Sequence, residues 1–140
     1  MNPTRLAATL LALGVFSIWG SSYAADKVDF GKHEYERKCA VCHGLNGKGD
    51  GPYAIPYVPD LTTLSKRSKG VFPVQHVYDV IDGTEVLKAH GTRNMPIWGT
   101  VYRGEIRDVQ TYYDAPYDSG AFVHAQILSL IDYISRLQTK

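Results

Sequence analysis

Both cysteines of this 140-residue chain stand within KCAVCHG, residues 38–44, three positions apart, with His43 directly after the second. Every thiol is thus confined to four residues beside an imidazole. A disulfide is the ordinary use of two cysteines in an exported chain, and redox C-x-x-C pairs place their thiolate at a helix start after a strand. The segment before Cys39, KHEYERK, is charged and helix-favouring rather than strand-like. A zinc site needs four N or S ligands, and His33, His76, His90 and His124 are scattered without ligand spacing. Neither use explains the position of His43.

C-x-x-C-H has a physical account that does. Two thiols add across the two vinyl groups of a haem, and the imidazole that follows reaches the iron from one face. Cys39 and Cys42 are then the attachment residues and His43 the proximal ligand of one covalent haem c. For the opposite face the candidate is Met95, in RNMPIWG. Pro96 biases the residue before it towards extended backbone, which holds a thioether at a fixed point. A methionine that merely fills an apolar gap is the plainer alternative, and His76 and His90 are weaker competitors for the iron.

The chain opens with Arg5, a mostly apolar run of 14 residues from Leu6 to Trp19, and small residues at Ser22 and Ala24. This is the layout of a secretory signal over residues 1–24. The run is short of the roughly 20 apolar residues that span a bilayer, so no membrane span is expected in the mature form. Residues 25–140 make one small domain, which gains from a large apolar ligand. Loss of Arg5 leaves 14 basic residues against 14 acidic ones, so no basic excess points to nucleic acid.

Residues 29–42 read as a helix capped by Asp29, with Gly31 and Tyr35 on one face. Phe72 or Pro73 to Asp82 reads as another, ended by Gly83. Ser119 to about Gln138 is a third, whose Val123, Ile127, Leu130, Ile131, Ile134 and Leu137 recur at helical spacing. Tyr133, beside that stripe, is placed to pack across Gly31. The run Gly47, Gly49, Gly51 lacks the strand and helix of a phosphate loop; these glycines let the backbone turn beside the ring. A carbonyl of this segment, with Pro59 the candidate, is expected to accept the Nδ1–H of His43. No strand with clean alternation is present, so the fold class is all-α.

Over residues 28–138 the chain resembles the class I c-type cytochromes, bacterial periplasmic single-haem proteins. Four features carry the resemblance in order: Gly31, Tyr35, Cys39, Cys42 and His43 in G-x-x-x-[FY]-x-x-x-C-x-x-C-H; GDGP and PDLT, residues 49–52 and 59–62; MPIWG from Met95; and the terminal LIDYISRL. The resemblance implies three to five helices around one haem c, terminal helices in contact, His43 and Met95 as axial ligands, and one-electron transfer with no acid, base or nucleophile. It also implies redox partner proteins met by a monomer or in transient complexes. The alternatives are an electron-transfer subunit of a dehydrogenase or oxidase, and, in a different class, a haem enzyme or gas sensor with a displaceable distal ligand. Residues 100–120 depart from the family pattern as a long tyrosine-rich insertion loop, suited either to protein contact or to packing over the ring edge. Trp98 is expected to cover the haem and offer its indole N–H to a propionate, with core packing as the alternative. Arg103 and Arg107 are candidates for the same propionate charge.

Overall fold

A computed structural model describes residues 28–56, 58–84, 95–113 and 118–139. Among these are six α-helices and one short 3-10 helix, with no strand. The helices are α1 (Phe30–Lys38), α2 (Ala40–His43), α3 (Leu64–Arg67), α4 (Val74–Asp82), α5 (Trp98–Tyr113) and α6 (Ser119–Arg136), and the 3-10 helix covers Leu61–Thr63. The expected leader, residues 1–24, lies outside the described residues, as does His90. No helix among the described residues is long and apolar enough to cross a membrane.

α1 starts where expected, with the Asp29 carboxylate accepting the Lys32 N–H at 3.0 Å. It does not run through to residue 42. Cys39 interrupts it, and α2 begins a new short turn, because the Cys39 carbonyl accepts from both Cys42 and His43 at 3.1 and 2.9 Å. α4 begins at Val74, with Pro73 as the residue before the helix rather than inside it, and ends at Gly83 in left-handed backbone (φ 92°).

α6 is the spine. Its buried face, Val123, Ile127, Leu130, Ile131, Tyr133 and Ile134, forms one cluster with Tyr35 of α1, Val77 and Ile81 of α4, and Tyr102 of α5. The crossing of α1 on α6 is made at Gly31, where a Cβ would run into the Ser129 carbonyl oxygen and lie 3.1 Å from the Tyr133 Cβ. Tyr35 then stacks at an angle on Tyr133, with ring centroids 5.1 Å apart. At the outer end, Arg136 of α6 grips the Asp29 carboxylate with two hydrogen bonds of 2.7 and 2.9 Å. The residue that caps the first helix is therefore also tied to the last turn of the final one.

The loop expected over residues 100–120 is instead helix as far as Tyr113; residues 114–117 lie outside the described residues. Thr100, Val101, Val109 and Thr111 lower its intrinsic helix preference, but fully buried Tyr102 and nearly buried Ile106, four residues apart, bind it to the core. Tertiary burial overrides propensity here. The start of α5 is locked to the end of α4: a Cβ on Gly83 would meet the Ile97 side chain, and one on Gly99 would lie 2.7 Å from the Asp82 carbonyl oxygen. With α5 present and α2 separate, the helices outnumber the three to five expected.

Two consequences are measurable. Replacing Gly31 by Ala gains about 1 kcal/mol of helix propensity but drives a methyl into α6 backbone, an overpacking cost of about 3 kcal/mol or more. The net result is a less stable protein, read as a melting midpoint lowered by roughly 10 °C. The second concerns acid. The Arg136 guanidinium holds Asp29 down to about 2, well below its ordinary range. A carboxyl depressed in the folded state contributes stability above its unfolded value, near 4, and loses it as pH falls towards 2. Arg136→Gln is expected to flatten the acid arm of a stability curve between pH 4 and 2. The same contribution is present in full near neutrality, where it is modest because the pair is exposed; urea unfolding at each pH measures both.

Candidate functional site

α2 carries the motif. Cys39 precedes it, Cys42 and His43 lie within it, and both cysteines are unbridged and half-buried. The helix is held from behind by its own carbonyl groups. The Val41, Cys42 and His43 carbonyls accept in turn from the Tyr53, Gly51 and Gly49 N–H groups, at 2.8, 3.1 and 2.8 Å. Such close contact of backbone on backbone needs glycine. A Cβ on Gly51 would stand 2.5 Å from the Ala40 carbonyl oxygen, and Gly49 sits at φ 79° with its Cβ position 2.7 Å from the Val58 carbonyl oxygen. The glycine run thus serves as the back plate of the C-x-x-C-H turn. At its end, the Tyr35 hydroxyl donates to the Gly44 carbonyl at 2.8 Å in the buried interior, which ties α2 to the crossing of the terminal helices.

The imidazole of His43 is oriented from the other side. Its Nδ1 lies 3.4 Å from the Pro59 carbonyl oxygen. A carbonyl can only accept, so Nδ1 carries the proton and Nε2 keeps its lone pair. Burial lowers the His43 pKa, outweighing the opposing effect of the Pro59 carbonyl, and keeps the ring in this neutral form. Pro59 is itself anchored. The next residues are clamped by Leu61 N–H on the Gly47 carbonyl (2.7 Å) and by Arg67 on the Asp60 carbonyl (3.0 Å). The Gln138 side chain donates to the Leu61 carbonyl at 2.7 Å and accepts from the Ser65 N–H at 2.9 Å. The C-terminal tail thus supports the acceptor of the histidine proton.

Met95, Trp98 and Cys39 are half-buried and pack against the same apolar cluster. Trp98 opens α5 and stands 6.2 Å from the Tyr102 ring. His76 lies on the exposed side of α4. Arg103 is directed to Asp82 at 3.5 Å, and Arg107 is exposed on the outer part of α5. Of the tyrosines between residues 100 and 120, Tyr102 is core and Tyr112 is exposed, while Tyr117 and the side chain of Tyr113 lie outside the described residues.

The sequence reading missed one feature beside Cys39. Lys38 reaches back to Glu34 of its own helix, 2.6 Å away as an ion pair not aligned for a hydrogen bond, and across to both Glu105 oxygens on α5 at 2.7 and 2.9 Å. Its ammonium lies 4.4 Å from the Tyr102 ring centroid and 5.8 Å from that of Trp98. The Glu34–Lys38 spacing of four was visible as a helix pair; its burial and the arrival of Glu105 were not. Burial first, and Glu34's charge second, push the Cys39 thiol up to about 12, so it is a poor thiolate in the free polypeptide.

These groups fit a covalent haem. Two unbridged thiols at one turn's spacing suit thioether attachment to the ring's vinyl groups, while an imidazole with its Nε2 lone pair available and a thioether packed against the apolar cluster are donors suited to the iron of a porphyrin. No group of three or more His, Cys, Asp or Glu side chains gathers as a metal site among the described residues. Comparison with known families gives a match to the model described as Cytochrome c over residues 28–138. No curated protein and no solved structure matches the chain. The match covers the unbroken stretch from the start of α1 to the end of α6, motif and glycine back plate included, and the chain therefore belongs to the cytochrome c family, the haem-based electron carriers with covalently bound haem c and its iron.

Proposed function

We propose that the protein is a periplasmic single-haem electron carrier, in which Cys39 and Cys42 would form the thioethers and His43 and Met95 would hold the iron. The observation that carries the reading is the His43 ring, turned by the Pro59 carbonyl so that Nε2 is the free ligand atom, on the same turn as two unbridged thiols. When bound, the haem supplies one-electron exchange between ferrous and ferric iron. The chain's residues do the rest. His43 is fixed before any electron arrives, so little reorganisation is needed on transfer, and its Nδ1–H bond raises its basicity as a ligand. Met95, stiffened by Pro96, supplies a soft sulfur that raises the potential relative to a second histidine. The apolar cluster of α4, α5 and α6 excludes water and disfavours the extra charge of the ferric state. Partners are redox proteins met through a small, short-lived interface. Export rests on the leader pattern of residues 1–24, which would bring the chain to the compartment where haem c is attached.

Mass spectrometry of the exported protein is expected to give a mass higher than that of the processed polypeptide by one haem, retained after denaturation. Cys42→Ala should keep a single thioether and shift the alkaline-pyridine spectrum of the ferrous haem. A mass equal to the amino acids alone would remove the reading. Spectroscopy tests the sixth ligand: the native protein should be low-spin and take up no carbon monoxide at neutral pH. Met95→Ala should bind carbon monoxide rapidly and show a lower reduction potential. An unchanged spectrum in that variant would take Met95 off the iron, and rapid binding by the native protein would point to an open distal face.

A further inference from the structure

The Glu34–Lys38–Glu105 cluster is costly to build and is not explained by stability. A buried ion pair is often no more stabilising than apolar residues of the same size, yet the Lys38 and Glu34 side chains are only 14% and 10% exposed. The cluster bridges the two segments assigned to the haem. Its ammonium belongs to the residue before Cys39, and it lies over Trp98, three residues after Met95. One ammonium faces two carboxylates, so the cluster carries a surplus negative charge. Consistent with that sign, the buried Tyr102 phenol is pushed upward by burial first and by Glu34's charge next. In a dry interior a charge acts several times more strongly at a given distance than it would in water.

We propose that Glu34, Lys38 and Glu105 form a potential-setting device beside Cys39, whose net negative charge would favour ferric over ferrous iron once haem is attached. This rests on the electron-carrier reading above, and it makes these three side chains positioning residues for charge rather than haem ligands. The cluster lowers the reduction potential and opposes the raising effect of Met95 and the apolar core. Evolution of either sign is then available without touching a ligand.

The test is the midpoint potential of the haem-loaded protein. Glu34→Gln removes a buried negative charge and should shift the potential upward; Glu105→Gln should shift it upward by less, because that carboxylate is 46% exposed and screened. Loosened packing alone would admit water, stabilise ferric iron and shift the potential downward, so the direction separates the two causes. Glu34→Gln combined with Lys38→Gln restores the native net charge and should return the potential towards the native value. Should Glu34→Gln fail to assemble, Glu105→Gln carries the same test. Potentials that stay put or fall in the glutamine variants, with an intact haem c spectrum, overturn the proposal. Absence of haem c from the native protein would instead overturn the electron-carrier reading.

Discussion

The arrangement depends on how closely α1 can lie on α6. Helix axes normally stand 8–10 Å apart, set by the side chains between them, and at Gly31 there is no side chain to intervene. The Ser129 backbone comes up against the Gly31 Cα, and the Tyr35 and Tyr133 rings then meet beside it. Everything at the functional end is referenced to that contact. Tyr35 carries it inward through its hydroxyl to the Gly44 carbonyl, where α2 ends. A wider crossing would move Tyr35, and with it the turn that bears Cys42 and His43.

The second restraint on the same turn comes from chain far away in sequence. The glycine segment holds three successive α2 carbonyls, and the stretch that follows offers the Pro59 carbonyl to His43. That stretch is clamped locally by Gly47 and Arg67, and Gln138 and Thr139 add a second brace by bonding to Leu61, Thr62 and Ser65 from the C-terminal tail. The imidazole is therefore oriented by a carbonyl whose segment is held both by the glycine loop and by the C-terminal tail. An imidazole so held keeps one orientation, with Nδ1 engaged and Nε2 open.

Charge is distributed with economy. Asp29 and Arg136 join the outer ends of the terminal helices in solvent, where a pair contributes modestly. Lys38 and Glu34 are placed inside, the ammonium against Tyr102 and Trp98, where electrostatics are strong and desolvation is expensive, and Glu105 closes the cluster from its more exposed side. Two ion-pair networks with similar chemistry thus have different consequences, decided by their depth.

Local rules made much of this legible in the sequence. C-x-x-C-H names its own chemistry, the Gly31–Tyr35 spacing marks a close helix crossing, the apolar stripe of α6 announces a core face, and the Pro59 carbonyl lies at a reach that short loops allow. These are features of residues near each other in the chain, or of a period repeated along it, so single-sequence reasoning finds them. The helix over Trp98–Tyr113 was hidden because β-branched and aromatic residues argue against it locally, and only the burial of Tyr102 and Ile106 decides for it. The ion cluster beside Cys39 was hidden for a related reason: Lys38 and Glu105 stand 67 residues apart. Which carboxylate meets that ammonium depends on the register of α5 against α1, and tertiary packing alone sets that register.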